Sequence, residues 1–566
     1  MMESCAPSGD PRLLLERLTA DGPPAPALDT LQRLTPWKQL VQDYRPVADS
    51  LEWRLARLLW CREGVAPFVR GVPFLVNNDG RLSADAAAVL FANCQEAVAS
   101  GPIRVLELGA GTGLFARYLL DEFRGLCRRN SRDFYDRLQY RVTDASPRTV
   151  QQWSENGVFH DHAAVVLPQV LNAAEAGGAE AVRAVFCNYV LDVLPAAFLR
   201  RTPAGWEQLW VRTWIGDDPA VLRQYTRLTF DEMRALAASD ALEGLLPVLP
   251  LLEFEADFLP VGGQAPPGLA EIEEGSGAPF TYNYGAIACL RSLGNMLEDG
   301  GFILVNDYAP PESRDAGCTP GQRFGPITGA GLNFPLVEAL LRRCELTCCE
   351  PEGDAARRLH ARLVSRGGLA NTLGTFRSRF AAAALEQADA PIQQARQQAG
   401  AGLLREALAS YRAAMERNPR NWQVIGEAAA FVAAELRDPA AGLELARAAA
   451  ALNPWYSPFL WVVLGDCLAA LERDRDAHEC YLQAHRIHPS SPEPNLRLAG
   501  SWLRIGDPVR SLEAVARGLA GDSDAMFRHV LLERQQQAID ALAIRWNAEC
   551  AAAARRSGVR GGGSGQ

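Results

Sequence analysis

The sequence lacks an uninterrupted apolar run of roughly 18 residues, the length that a membrane-spanning helix needs. The closest stretch, Leu245 to Leu252, is short and is broken by Pro247 and Pro250. The first residues carry early acids and have no apolar segment of signal-peptide length. These absences favour a cytoplasmic protein without a membrane partner over a membrane or secreted protein.

The 13 cysteines are irregularly spaced and include no CxxC pair. This spacing argues against a disulfide framework and a zinc site, so we expect free thiols in a reducing compartment and no metal. The pair His160 and His162 has no further ligand nearby in the sequence, and we interpret both as surface or core histidines.

Lysine is almost missing: Lys38 is the one lysine among 57 Lys+Arg residues. A P-loop nucleotide site needs a lysine directly after its last glycine, and no glycine loop here has one. The arginines are scattered, and 67 Asp+Glu residues give a net charge of -10. We therefore expect no nucleic-acid partner.

The chain has 566 residues, of which 48% are hydrophobic, and this length suggests roughly three or four domains. Residues 1–100 begin polar and then show helical leucine spacing, which predicts a helical lead-in or cap. Residues 101–370 alternate short apolar runs with helical segments, the pattern of a mostly parallel α/β sheet. A tryptophan-bearing stretch near 200–280 predicts an insertion beside strands four and five. The strand candidates begin at Ile103, Tyr140, Ala184, Phe302 and Leu359.

Residues 385–550 are alanine-rich, helical and periodic, and Pro419, Pro454 and Pro489 are spaced by 35 residues. The best unit runs from Pro458 to Ser491, where small and large residues such as Gly465 and Tyr481 could pair between two helices. This pattern resembles the tetratricopeptide repeat. The resemblance implies an all-α solenoid that binds a protein or peptide, and a packing or dimerisation platform is the alternative. Residues 556–566 predict a flexible tail.

The strongest chemical signal is the glycine loop within Val105–Phe115, where a buried strand enters a turn and a helix follows. Gly109 suits the tight turn, and Gly111 lets the backbone approach a ligand. A dinucleotide fingerprint would need a glycine where Leu114 stands. The spacing resembles instead the first motif of class I S-adenosylmethionine-dependent methyltransferases. That resemblance implies a Rossmann-like methyltransferase domain with S-adenosyl-L-methionine as its cofactor, contacted by Glu107, Gly109, Ala110, Gly111, Thr112 and Gly113.

In such enzymes an acid on the next strand takes the ribose hydroxyls, and Asp144 is the matching residue. An ionised carboxylate can accept two hydroxyl donors at once, although Asp144 could also cap the helix that follows. Asn188, at the end of strand four, is expected to face the same cofactor crevice.

Further motifs resemble the MidA-like methyltransferases, the family of a respiratory complex I assembly factor that methylates a protein arginine. The resemblance spans about 80 to 365 and includes Asn188–Pro195, Trp206–Val211, Asp307–Tyr308 and Ile327–Phe334. Tyr189, Ala309 and Asn333 depart from the family's pattern on the acceptor side. We therefore expect a methyltransferase whose acceptor, a protein arginine, another side chain or a small molecule, is left open.

Candidate bases are Asp192, Asp307 and Tyr308, which the sheet pattern places at strand ends, although each could be a capping or turn residue. Tyr282, Asn283 and Tyr284 could line the acceptor pocket or be ordinary packing residues. The favoured function is methylation of a protein or peptide brought in by the repeats. The alternative is an adaptor or scaffold with a degenerate methyltransferase domain.

Overall fold

A computed structural model describes residues 38–70, 79–97, 101–178, 180–272, 278–309, 322–324, 327–354 and 359–558. The start of the predicted lead-in (1–37) and most of the predicted tail (559–566) lie outside these ranges. No helix among the described residues combines the length and apolar character needed to cross a membrane.

The described residues form fourteen strands and nineteen α-helices. In chain order the strands are β1 (Lys38–Pro46), β2 (Ile103–Leu108), β3 (Leu138–Asp144), β4 (Val166–Val170), β5 (Val182–Asn188), β6 (Ala197–Thr202), β7 (Gly205–Gly216), β8 (Leu252–Pro260), β9 (Phe280–Tyr282), β10 (Leu297–Tyr308), β11 (Gln322–Phe324), β12 (Ile327–Gly329), β13 (Thr347–Cys349) and β14 (Leu359–Ser365). The helices of the first 380 residues are α1 (Leu51–Glu63), α2 (Ala66–Arg70), α3 (Arg81–Glu96), α4 (Leu114–Arg129), α5 (Pro147–Asn156), α6 (Pro219–Tyr225), α7 (Phe230–Ala237), α8 (Tyr284–Met296), α9 (Phe334–Arg342) and α10 (Ala370–Phe380). Those that follow are α11 (Ala382–Gly400), α12 (Leu404–Arg417), α13 (Trp422–Ala434), α14 (Pro439–Leu452), α15 (Pro458–Ala470), α16 (Asp474–Ile487), α17 (Pro492–Ile505), α18 (Pro508–Gly521) and α19 (Arg528–Gly558).

A seven-stranded sheet, in the order β13-β14-β10-β5-β2-β3-β4, forms the centre of the first domain. Its pairs are parallel except for those that β14 makes with β10 and β13, and Val105 of β2 pairs with Ala184 of β5. Every residue of β5 is buried, as expected for a strand covered on both faces. Helices α3 and α4 cover one face, and α8 and α9 cover the other. The mostly parallel α/β sheet predicted from the sequence is present.

All five predicted strand candidates are strands of this sheet: β2, β3, β5, β10 and β14. The two edge strands, β4 and β13, carry no comparable apolar run. In β4 only Val166 is buried, and β13 has three residues. An edge strand that faces solvent lacks the periodic signal that a central strand has.

A second, antiparallel sheet joins β1 to the stretch predicted as an insertion. Strand β7 pairs with β1, β6 and β8, and β9 pairs with β6. The prediction of a helical lead-in is therefore wrong for residues 38–46, which form β1. The conformation of β1 is decided by its pairing with Trp210–Gly216 of β7, which lies far along the chain. The local spacing of leucines could not reveal that pairing.

Helices α11 to α18 pair consecutively as antiparallel neighbours, and α19 packs on α17 and α18. Pro419, Pro454 and Pro489 lie in the links after α12, α14 and α16, so the predicted period marks real helix ends. A Cβ on Gly465 would lie 2.5 Å from the Tyr481 ring, which is the predicted small-on-large pairing between α15 and α16. Helix α19 continues to Gly558, so residues 556–558 of the predicted tail are helical.

The helical array shares a hydrophobic core with the first domain. Trp422, Tyr456 and Leu460 of the array are buried in the same cluster as α3 and α4. The Tyr118 hydroxyl of α4 donates to the carbonyl of Leu452 at 2.9 Å. Arg420 forms an ion pair of 2.7 Å with Glu122 of α4. The array is therefore fixed to one side of the sheet domain.

Candidate functional site

The glycine turn leaves β2 after Leu108 and enters α4 at Leu114. Gly109 and Gly111 have φ values of 62° and 55°, a region that side chains disfavour. A Cβ on Gly111 would lie 2.7 Å from Cζ of Phe68, and one on Gly109 would lie 2.8 Å from Cγ2 of Val190. Both positions therefore need glycine for conformation and for space.

Asp144 ends β3 beside this turn and is 2% exposed. Its Oδ2 accepts a hydrogen bond of 3.0 Å from the Gly111 amide, and its Oδ1 accepts one of 2.9 Å from the Ser146 amide. Burial raises the pKa of Asp144 to about 6, although these two N–H donors lower it. The residue that caps α5 is Ser146, whose Oγ accepts from the Thr149 amide at 3.2 Å. Asp144 is therefore not that cap, and its carboxyl is joined to the glycine turn.

Glu107 lies one residue before the end of β2 and is 1% exposed. Its carboxylate accepts a hydrogen bond of 2.7 Å from the Tyr140 hydroxyl. Burial raises the pKa of Glu107 to about 8, with the nearby Asp144 charge adding to the rise and the Tyr140 hydrogen bond opposing it. A carboxyl with this pKa is largely protonated at neutral pH, and an approaching cation would favour its ionised form.

Asn188, at the carboxyl end of β5, is buried and keeps an unused donor. Its Oδ1 accepts from Nδ2 of Asn306 at 2.8 Å, while its own Nδ2 has no hydrogen-bond partner among the described residues. A buried donor without an acceptor is costly unless a ligand satisfies it. This placement is consistent with the predicted position of Asn188 on the crevice.

Asp192 and Asp307 form a pair of buried carboxyls at the ends of β5 and β10. Oδ2 of Asp307 accepts from the amides of Leu191 at 2.9 Å and Asp192 at 3.3 Å. Burial raises the pKa of Asp192 to about 7, opposed by a hydrogen bond with Asp307, and burial together with the Asp192 charge raises that of Asp307 well above its usual value. The pair therefore retains a proton at neutral pH, and Oδ1 of Asp192 has no hydrogen-bond partner within the described chain.

The segment from Gly329 to Asn333 folds over this acidic pair. The Ala330 amide donates to the Asp192 carbonyl at 2.7 Å, and the Leu332 amide donates to the Tyr308 carbonyl at 2.8 Å. The Asn333 amide donates to Oδ1 of Asn283 at 2.9 Å. Asn333 also caps α9, because its Oδ1 accepts from the Leu336 amide. The asparagine that departs from the MidA-like pattern thus has a structural use here.

The candidate aromatic residues lie at the same end of the sheet. The rings of Tyr308 and Tyr189 are 5.1 Å apart, and Tyr189 has a positive φ of 54°. Burial raises the pKa of the Tyr308 hydroxyl, and the Asp192 and Asp307 charges add to this rise. Tyr284 begins α8 and packs near Tyr282, whose hydroxyl donates to the Pro267 carbonyl at 2.7 Å. The Tyr282 hydroxyl is therefore held by the Pro267 carbonyl, whereas Tyr308 lies beside the Asp192–Asp307 pair.

Helices α1 and α2 reach both parts of this site. Oγ of Ser146 donates to the Cys61 carbonyl of α1 at 2.7 Å, which joins α1 to the Asp144 side. Trp53 of α1 packs in the same cluster as Ala330, which joins it to the acidic pair. The Phe68 ring of α2 contacts Gly111 and packs edge-on against Trp60 at 4.7 Å. The site thus lies at the carboxyl ends of β2, β3, β5 and β10, where open α/β sheets bind ligands.

Several residues of the site were not anticipated from the sequence. Phe68 carries no motif, and its contact with Gly111 joins residues that are far apart in the chain. Trp153 donates from Nε1 to the Gly111 carbonyl at 2.8 Å. Tyr140 lies in a predicted strand, and Asn306 directly precedes the candidate Asp307. Their positions next to predicted site residues were the one feature of the sequence that could have pointed to them.

His162 is buried, and its ring nitrogens lie 2.7 Å from the Tyr135 hydroxyl and 3.1 Å from Oδ1 of Asp121. It is a core histidine held by two side chains. Across the described ranges, no group of three or more His, Cys, Asp or Glu residues is arranged to hold a metal ion.

The strand order and the glycine turn together define a Rossmann-like α/β domain. Residues 86–325, less than half of the chain, match the model of a family described as "Putative S-adenosyl-L-methionine-dependent methyltransferase". The cofactor predicted from the sequence, S-adenosylmethionine, is confirmed by this match. No curated protein matches the chain closely enough to count as a relative.

Three solved structures illustrate the similarity. A likely methyltransferase of the COG1565 superfamily from Burkholderia thailandensis, bound to S-adenosyl-homocysteine, is 16% identical over 52% of this chain and 79% of its own, with a TM-score of 0.36. The CcbJ methyltransferase from Streptomyces caelestis is 15% identical over 50% and 96%, with a TM-score of 0.27. A thermophilic TPR protein from Thermus thermophilus is 22% identical over 31% and 90%, with a TM-score of 0.24. These scores are too low to support an argument, so the tetratricopeptide class of the array stays a prediction.

Proposed function

We propose that this chain transfers a methyl group from S-adenosylmethionine to a protein or peptide. The observation that carries the proposal is the hydrogen bond from the Gly111 amide to the Asp144 carboxyl, which supports Asp144 as the acid that would bind the ribose hydroxyls. The buried Glu107 carboxyl and the unused Nδ2 donor of Asn188 suit a ligand that carries cationic groups and several acceptors.

When bound, S-adenosylmethionine supplies an activated methyl group on a sulfonium, so the protein's task is alignment and exclusion of water. Asp144 and Asn188 would orient the ligand through hydrogen bonds. Helices α1 and α2 would keep solvent out, because Trp53 and Phe68 pack over the two ends of the site.

The acidic pair would serve the acceptor. Asp192, with a pKa of about 7 and an unused Oδ1, is able to take a proton from an acceptor N–H or O–H at physiological pH. Oδ2 of Asp307 holds Asp192 by accepting a hydrogen bond from the Asp192 backbone amide, and Tyr308 lies beside both. The resemblance to the MidA-like family supports a protein acceptor, while the neutral Tyr189 and Asn333 leave the modified side chain open.

Calorimetry and labelled-methyl transfer into lysate proteins test this division of roles. We expect Asp144→Asn to lose binding of S-adenosylmethionine, because the ribose acid is gone. We expect Asp192→Asn to bind the cofactor normally and to transfer methyl groups at least ~100-fold more slowly, the usual contribution of a positioned base. Asp231→Asn, at an exposed site on α7, is the matched control for both measurements. Normal transfer by Asp192→Asn would remove it as the base, and normal binding by Asp144→Asn would contradict the proposed site.

We further propose that the helical array recruits the acceptor through a cavity between α17 and α19. The cavity has a volume of about 230 Å³, and its lining includes Arg497, Arg504, Arg534 and Glu533. Arg497 and Arg504 are held by Asp466 and Asp474 at 2.9 Å and 2.8 Å, whereas Nε of Arg534 has no hydrogen-bond partner in the described structure. Three guanidinium groups in one cavity suit an acidic segment of a protein partner.

Reversing one charge tests this recruitment without removing the array. Arg504→Glu should reduce labelling of lysate proteins several-fold and leave calorimetric binding of S-adenosylmethionine unchanged, because the cavity is separate from the glycine turn. Arg475→Glu, on an exposed turn of α16, is the control. Equal labelling by Arg504→Glu and the wild type would show that the cavity does not recruit the acceptor.

A further inference from the structure

The final helix, α19, extends past the array that it caps. Leu531 and Ala538 are fully buried and hold its first part on α17 and α18. From Leu542 to Ala551 every residue is exposed. Three large apolar side chains in this second part, Leu542, Ile544 and Trp546, are 36%, 71% and 67% exposed, although burial of such side chains is normally favourable.

Ile544 lies on the opposite side of α19 from six other exposed apolar residues, which form one stripe. At 3.6 residues per turn they fall within about 80° of one another around the helix axis. Successive residues of the stripe are three, four or seven positions apart, which is the spacing of the apolar residues that pair two helices in a coiled coil. The stripe consists of Leu532, Ile539, Leu542, Trp546, Cys550 and Ala553.

Side-chain size is graded along this stripe. Ile539, Leu542 and Trp546 are large, whereas Cys550 and Ala553 are small. An antiparallel pair of α19 helices centred on Trp546 would place Leu542 of one copy opposite Cys550 of the other, and Ile539 opposite Ala553. Leu542 and Ile539 would then each face a small side chain, which fills space without overpacking, and the two Trp546 rings would meet at the centre of the pair. A parallel pair would set large against large and small against small.

The flanking charges agree with the antiparallel arrangement. Arg545 and Glu549 lie on the same side of the stripe and form an ion pair of 3.0 Å within one helix. In the antiparallel pair, Glu549 of one copy would lie within one helical turn of Arg545 of the other. The ion pair within each helix could then be replaced by two ion pairs between the helices. We propose that the chain forms a homodimer through antiparallel pairing of the stripe on α19.

Disulfide cross-linking with the native Cys550, which is exposed and free, tests the register. Under a mild oxidant, Leu542→Cys should yield a reducible band at twice the 61.5 kDa chain mass, because residues 542 and 550 of two copies would be adjacent. The band should disappear in Leu542→Cys/Cys550→Ser. Ile544→Cys, which lies off the stripe, is the matched control and should give no such band. A strong band from the wild type alone would indicate parallel pairing through Cys550 and would overturn the antiparallel proposal.

Sedimentation tests association without oxidation. The wild type should sediment at twice the chain mass, and Trp546→Glu should shift it toward the chain mass while helical circular dichroism is retained. Ile544→Glu should leave the dimer intact. A wild type that sediments at the single-chain mass, or a dimer that Trp546→Glu leaves unchanged, would show that the stripe does not pair two copies.

Discussion

At the residue scale, the buried Glu107 should leave a signature in the pH dependence of stability. Its folded pKa of about 8 lies above the ordinary 4.5, so the folded chain binds more protons than the unfolded chain between these values. The free energy of unfolding should therefore fall as pH rises from about 4.5 to 8. Glu107→Gln removes this one contribution, which is on the order of a few kcal/mol across the window.

Urea unfolding at a series of pH values measures this slope. The wild type should lose stability with rising pH more steeply than Glu107→Gln, while Glu416→Gln, at an exposed position of α12, should follow the wild type. Parallel curves for the wild type and Glu107→Gln would mean that the Glu107 pKa is not raised. Asp144 and Asp192 also titrate in this range, but they are the same in all three proteins.

Residues of the site differ in how far the sequence could reveal them. The glycine turn and Asp144 were predictable because a tight turn and a strand-end acid are local features with fixed spacing. Their partners were not: Phe68 and Trp153 reach Gly111 only through the packing of α2 and α5. Asp192 and Asp307 were predicted as separate candidates, and the rise in their pKa values depends on burial that the sequence does not show.

At the element scale, the same distinction separates the central strands from β1. The five strands with apolar runs were predictable from the sequence. In contrast, β1 is a strand because it pairs with β7, and the sequence does not show that pairing. The helical array was predicted by its period, but its attachment to α4 was not, because the contacts of Trp422 and Tyr456 depend on packing against a distant part of the chain.

This attachment predicts that the array and the sheet domain unfold together. Trp422 is 4% exposed in the cluster shared with α3 and α4, so Trp422→Ala should cost about 3–5 kcal/mol. It should also lower the unfolding midpoint of the sheet domain, followed by the near-ultraviolet signal or by loss of cofactor binding. Trp502→Ala, within the array at α17, should lower the same midpoint in the signals of both parts, because a change in either part destabilises a unit that unfolds as one. Two independent transitions, with the sheet domain unchanged in Trp422→Ala, would contradict a shared core.

At the scale of the whole molecule, α4 connects the glycine turn to the array. Gly113 caps the start of α4, and further along the same helix Tyr118 and Glu122 hold Leu452 and Arg420. Saturating S-adenosylmethionine should therefore protect not only α4 but also the neighbouring amides of α13 and α14. At a ligand concentration of about 100 times Kd, the openings that abolish binding become less favourable by about 2.7 kcal/mol, and their exchange slows up to ~100-fold.

Hydrogen exchange followed by mass spectrometry, with and without S-adenosylmethionine, separates this coupling from a local effect. Peptides from α4, α13 and α14 should gain protection together, whereas peptides from the exposed end of α19 should not change, because residues 542–551 are exposed to solvent. In Arg420→Ala, which removes the ion pair with Glu122, protection should persist in α4 and weaken in α13 and α14. Protection confined to α4 in the wild type would show that the array does not respond to the site, and any recruitment of an acceptor would then have to act through proximity alone.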